Sequence, residues 1–147
     1  MKIAIAQIDP VIADISGNYQ IISKYVHQAI QHGAELIIFP EMATIGYPPM
    51  DLLEHKKLID DNLKSIETIA TLSKDCGIIC GYVDYVHDNP PMLLNAAACM
   101  YNGNIQSKHY KTLLPTYDVF DELRYFSPAS IQEPMKFKGV NIGLTIC

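Results

Sequence analysis

The apolar positions of this chain change period from block to block, and the changes predict the order of its elements. Residues 2–8, Lys-Ile-Ala-Ile-Ala-Gln-Ile, are rich in apolar and β-branched residues and predict a strand that Asp9-Pro10 ends. Asp14, Ser16, Gly17 and Asn18 supply loop and helix-start chemistry. From Tyr19 to His32, Ile22, Tyr25, Val26, Ala29 and Ile30 recur at helical spacing, and Gly33 can take the positive φ that closes a helix. Leu36-Ile37-Ile38-Phe39 is a continuous apolar run of strand length, the kind covered on both faces in layered folds. A loop at 45–49 then leads to a second helix predicted over 55–74, with Ile59, Leu63, Ile66 and Ala70 on one stripe.

The later pattern is shorter in period. Residues 77–85 predict a strand, and Asp88-Asn89-Pro90-Pro91 predicts a turn. Runs at 94–101 and 105–111 predict a hairpin around Asn102-Gly103-Asn104. A loop-rich stretch at 112–134 precedes two short strands, 135–140 and 141–147, the second closing on Cys147. A β-α-β-α-β opening followed by hairpins gives the fold class as α/β (α+β), layered as a sandwich.

Composition narrows the function classes. The 147 residues suit one domain, and 49 % apolar with 18 % charged residues is an ordinary globular balance. The net charge of −5 and scattered basic residues, only Lys56 and Lys57 being adjacent, exclude the stripe a nucleic-acid partner requires. No apolar stretch reaches membrane-spanning length and no export signal is visible, so Cys76, Cys80, Cys99 and Cys147 are expected as reduced thiols in a cytoplasmic protein. Cys76 and Cys80 share a strand face but lie well apart, and no second pair follows. No metal site is assigned to them, and burial as small hydrophobes is the expectation.

Three reactive side chains fall at predicted strand ends: Glu41 after 36–39, Lys111 after 105–110, and Cys147 after 143–146. Strand ends are where α/β enzymes mount rigidly held catalytic groups. A thiol supplies a nucleophile, a poorly solvated carboxylate accepts and returns its proton, and an ammonium neutralises the oxyanion of a tetrahedral intermediate. Together they suffice for attack on an amide carbonyl. Taken singly, each also has an ordinary reading as a solvated or core residue, and spacing alone does not bring three distant residues together.

The surrounding motifs supply the link. Phe39-Pro40-Glu41 with Gly46-Tyr47, Tyr110-Lys111 with Leu113-Leu114-Pro115, and Asn141-Ile142-Gly143-Leu144-Thr145-Ile146-Cys147 resemble, in order and separation, the three motifs of the nitrilase (carbon–nitrogen hydrolase) superfamily. The run from Lys111 to Glu122, continuing through Arg124-Tyr125-Phe126, and Gly46–Leu53 after the first motif are similar to one branch, the glutaminase domains of glutamine-dependent NAD synthetases.

The resemblance implies the N-terminal portion of an α-β-β-α sandwich, incomplete at its C-terminal side. It also implies a mechanism: Cys147 attacks the amide of L-glutamine, Glu41 moves the proton, and Lys111 stabilises the oxyanion. Glu122 matches a carboxylate that positions the lysine, and Tyr117 a residue that contacts glutamine. Tyr47 and Phe120 are further candidates for pocket walls. No cofactor is implied in this domain. ATP, Mg and deamido-NAD belong to a synthetase domain that residues 1–147 do not contain, and full-length members are expected to be homo-oligomers.

Members of the superfamily continue past the nucleophile, where the following backbone N–H helps hold the oxyanion. The 147 residues alone are therefore expected to be inactive and to need the remainder of the enzyme or a complementing chain. Two alternatives remain open from sequence: another amidase of the superfamily, such as an ω-amidase or carbamoyl hydrolase, and a non-catalytic binding or assembly module.

Overall fold

A computed structural model describes residues 1–88, 92–118, 120–130 and 133–147. Five strands, β1 (Ile3–Ile5), β2 (Leu36–Ile38), β3 (Gly77–Val86), β4 (Met92–Tyr101) and β5 (Asn104–Tyr110), form one sheet in sequence order. β1, β2 and β3 are parallel, and β3, β4 and β5 antiparallel. Helices α1 (Ile15–Gln31) and α2 (Lys56–Ala70) supply the two crossovers. A two-stranded antiparallel unit, β6 (Met135–Phe137) and β7 (Val140–Ile142), follows. The mixed α/β fold expected from sequence is the fold observed, with a helix layer, a sheet and the start of a second strand layer.

Strand alternation decides which residues meet which layer. Ile37, Phe39, Ile78, Cys80, Tyr82, Ala96, Ala98 and Met100 face the helices and form one core with Ile22 and Val26 of α1 and Ile66 and Ile69 of α2. Each such aliphatic side chain contributes about 1.5–3 kcal/mol by leaving water. The other face carries Leu36, Ile79, Ala97 and Cys99, packed against Met135 and Phe137, with Ile142, Leu144 and Ile146 beside them. Cys76, Cys80 and Cys99 are free and buried. Burial alone raises the Cys80 thiol, and chiefly burial pushes Cys99 up to about 11.

Boundaries differ from the sequence expectation in several places. The strand expected over 135–140 breaks at Lys138 and Gly139, both at positive φ, and Val140 begins β7 instead. α1 begins before Tyr19 because Asp14 caps it, its Oδ1 accepting from Gly17 N at 2.9 Å. α2 stops at Ala70 rather than Lys74, where Thr71 and Ser73 hydroxyls bond back to the carbonyls of Thr68 and Ala70. β1 is confined to Ile3–Ile5, though Ala6 N still donates to Ile38 O at 2.9 Å. The strand expected over 141–147 ends at Ile142, so Cys147 follows an irregular segment rather than a strand. Leu144 and Ile146 still pack on the sheet, which is what the apolar alternation there encodes.

The hairpin falls where the turn signal placed it, Asn102 and Gly103 both at positive φ between Tyr101 and Asn104. The predicted turn at 88–91 lies largely outside the described residues. No helix among the described residues is long and apolar enough to cross a membrane.

Candidate active site

The loop after β2 carries Glu41, and buried polar groups fix its path. Phe39 N donates to Ile79 O at 2.8 Å, and Thr44 N to Gly81 O at 3.3 Å. Thr44 Oγ1 donates to Asn62 Oδ1 at 2.7 Å, while Asn62 Nδ2 reaches Val83 O at 2.6 Å and Asn18 Nδ2 reaches Thr44 O at 3.1 Å. Glycine is required at 81: a Cβ there would lie 2.4 Å from Met42 N and Pro40 O and 2.7 Å from Glu41 Cα. The strand thus approaches the backbone of Glu41 as closely as a chain can.

Lys111 follows the last residue of β5 and stays tied to β4 through its N–H, which donates to Asn95 O at 2.8 Å. Its Nζ donates to Glu41 Oε1 at 2.8 Å and to Glu122 Oε1 at 3.0 Å. The side chains of Lys111 and Glu122 are only 1 % and 3 % exposed, whereas that of Glu41 is 24 % exposed. Burial disfavours the Lys111 cation, but its hydrogen bonds and charge attraction to Glu41 and Glu122 outweigh that and hold its pKa above the ordinary lysine value. Glu122 opens a single 3₁₀ turn (Glu122–Arg124) and is set by its N–H, which donates to Pro115 O at 2.9 Å.

Two further side chains complete the network. Tyr47 OH donates to Glu122 Oε1 at 2.8 Å. Burial first, then the Glu122 contact and charge, raises the Tyr47 hydroxyl above the ordinary tyrosine range and keeps it a donor. Asn95 Nδ2 donates to Glu41 Oε1 at 2.5 Å and lies 3.5 Å from Glu122 Oε2. Asn95 was not anticipated from sequence. Its signal was present nonetheless, because it is the only polar residue between Met92 and Met100.

Cys147 lines a cleft of about 220 Å³ together with Pro40, Glu41, Gly81, Ala97 and Ile146. It also borders a wider hollow of about 530 Å³ lined by Leu113, Leu114, Pro115 and Tyr117. Cys147 is exposed, unlike the other three thiols. The Tyr117 and Phe120 rings meet edge-on with centroids 5.6 Å apart, and Phe120 lies 6.3 Å from the Tyr47 ring. The fold therefore gathers all seven residues singled out in the sequence into one region: Glu41, Lys111 and Glu122 bonded directly, Tyr47 joined to them, the Phe120 ring beside Tyr47 and edge-on to Tyr117, and Cys147 lining the same cleft as Glu41. His32 and His87 lie outside it, His32 bonding Gln28 O and His87 meeting the Tyr85 ring edge-to-face. Among the described residues, no cluster of three or more His, Cys, Asp or Glu could hold a metal ion.

Such a region can run proton transfer beside a nucleophile: a partly exposed carboxylate and a thiol share one cleft, and a sequestered cation is bonded to that carboxylate. Comparison with known proteins agrees with the motifs. Residues 2–147 match the carbon-nitrogen hydrolase family. The chain is 38 % identical over 150 residues to the glutamine-dependent NAD(+) synthetase of Synechocystis sp., covering 99 % of this chain and 27 % of that protein. It is 32 % identical over 149 residues to the synthetase of Thermotoga maritima, covering 100 % of this chain and 25 % of that protein. The solved glutamine-dependent NAD+ synthetase of Acinetobacter baumannii, in complex with ADP, superposes with a TM-score of 0.91 at 34 % identity, over 99 % of this chain and 27 % of that one. The chain thus spans about a quarter of the length of the curated relatives it matches.

Proposed function

Because this chain belongs to the carbon–nitrogen hydrolase family, we propose that it is the N-terminal portion of the glutaminase domain of a glutamine-dependent NAD synthetase and that it cleaves the side-chain amide of L-glutamine. The observation that carries this reading is the Lys111 ammonium held between Glu41 and Glu122, with Glu41 lining the same cleft as Cys147.

In this mechanism the Cys147 thiol passes its proton to Glu41 as its sulfur bonds the amide carbon. Lys111 has three N–H donors, two of them engaged by Glu41 and Glu122, and the third serves the developing oxyanion. Glu41 returns the proton to the nitrogen, the C–N bond breaks, and ammonia leaves behind a γ-glutamyl thioester. Water then attacks, loses a proton to Glu41, and the C–S bond breaks to release glutamate while the sulfur regains its proton. Glu122 and Tyr47 hold Lys111 in place, and Tyr117 and Phe120 wall the substrate side. The ammonia then serves ATP- and Mg-dependent amidation of deamido-NAD by a synthetase domain outside these residues. We place the protein in the cytoplasm, where a nucleophilic thiol stays reduced, and expect further copies of the enzyme as partners.

Glutamate release by the complete protein tests the reading. Turnover of L-glutamine that disappears in Cys147→Ala is the expected result. Absence of turnover, or turnover that survives Cys147→Ala, would overturn it.

A further inference from the structure

The Glu41 carboxylate is restrained through one oxygen. Asn95 Nδ2 and Lys111 Nζ both donate to Oε1, at 2.5 and 2.8 Å, and no hydrogen bond among the described residues falls on Oε2. The Asn95 amide also faces Glu122 Oε2 at 3.5 Å. Asn95 and Lys111 thus form two parallel rungs between the same pair of carboxylates, one neutral and one cationic. The rungs are built together, since Asn95 O accepts the backbone N–H of Lys111 at 2.8 Å.

The orientation of the amide is forced by charge. Turned over, Asn95 would set its oxygen against two carboxylates, so the nitrogen faces inward. The consequence is visible on the far side, where Asn95 Oδ1 is buried with no partner among the described residues. A core asparagine kept only for packing would not leave an acceptor stranded in this way, because an unmet buried acceptor costs stability. The arrangement spends that stability on the donor.

We propose that Asn95 is a positioning residue: with Lys111 it pins Oε1 of Glu41 and reserves Oε2 for the proton that leaves Cys147 and passes to the departing nitrogen. An oxygen already accepting two strong donors is the poorer base of the two, and the restraint fixes the direction in which the free oxygen points. The inference rests on Glu41 being the proton carrier of the proposed glutaminase reaction.

The test is steady-state glutamine hydrolysis by the complete protein, with thermal midpoints measured alongside. Asn95→Leu lowers kcat by roughly ten- to a hundredfold, the scale of a lost hydrogen bond to a charged group. KM for glutamine stays within about twofold, because the residue does not touch substrate. Asn95→Asp, nearly identical in shape, is at least as damaging, since it replaces the donor with a third carboxylate. A space-filling role predicts the reverse: Asp the milder change, and kcat following the thermal midpoint.

A second measurement needs no change at 95. With asparagine labelled in nitrogen-15, the Asn95 side-chain amide protons move upfield in Glu41→Gln. Wild-type kcat in Asn95→Leu, or amide protons that ignore Glu41→Gln, would overturn the inference. A wild-type protein that releases no glutamate would instead overturn the functional reading, and the amide shift still decides the contact.

Discussion

Lys108 and Lys111 both meet a buried carboxylate at the end of the same strand, on opposite faces of the sheet, and the two clusters are built in opposite senses. On the helix-covered face Lys108 donates to Asp84 at 3.0 Å, with Tyr110 OH on the same carboxylate oxygen at 3.0 Å. There the carboxylate is hidden, 3 % exposed, and the lysine reaches water, 41 % exposed. On the other face the lysine is hidden and one of its two carboxylates, Glu41, opens to the cleft. A structural ion pair lets the flexible cation be solvated and satisfies the anion with neutral donors. The proposed site instead sequesters the cation, so that its hydrogen bonds are not lost to water, and turns a carboxylate toward the cleft. The contrast teaches that the direction of burial, rather than the presence of an ion pair, separates the site from the scaffold.

The largest expected effect tests this asymmetry. Lys111→Met lowers glutamine hydrolysis by the complete protein on the order of 10⁴-fold, as removal of one member of an interdependent catalytic set does. Lys108→Met leaves the rate within about twofold, since its partner Asp84 serves the helix-covered face. Equal losses in the two variants would erase the distinction.

A smaller effect comes from Gly81→Ala, which removes no reacting group. Its Cβ must displace the Pro40–Met42 backbone that carries Glu41. A shift of this size lowers kcat by roughly a hundredfold, read from the same assay, while Cys147 remains open to alkylation. Stability follows the same order. Lys111→Met strands two carboxylates and costs about 3–5 kcal/mol in denaturant unfolding. Lys108→Met leaves Asp84 its Tyr110 hydrogen bond and costs about 1–3 kcal/mol.

The smallest effect concerns His109, the residue between these lysines in the alternation and paired with Ala97 on the cleft face. It is buried, its Nδ1 has no partner among the described residues, and burial holds its pKa below the ordinary 6.5. The unfolded chain therefore binds the proton more readily. The contribution of this group is full above pH 6.5 and is lost as pH falls below it. Unfolding free energies of His109→Asn measured against pH should show a shallower acid decline than wild type.

Much of this was legible in the sequence, and the misses have physical causes. The helix face was readable because Ile22, Val26, Ile66 and Ile69 repeat at helical spacing against strands whose alternate residues are apolar. The Asn102-Gly103 turn was readable because few residues take positive φ at two successive positions. Glu41, Lys111 and Cys147 were found through the motifs around them, since nothing in their spacing brings them together. The end of β7 was missed because residues 143–147 alternate like a strand but have no partner among the described residues. Asn95 was missed because one polar residue in an apolar strand looks like an interruption until the loop bearing Glu41 is laid across it.

The central claim is that Cys147 is the nucleophile in a cleft whose base is Glu41 and whose cation is Lys111. The complete protein, mixed with L-glutamine, quenched in acid and digested, should yield the peptide ending at Cys147 or spanning it with a γ-glutamyl thioester on the sulfur. The adduct should be absent from Cys147→Ala and form far more slowly in Glu41→Gln. Glutamine turnover with an unmodified Cys147, or an adduct that forms at the wild-type rate without Glu41, would contradict the account.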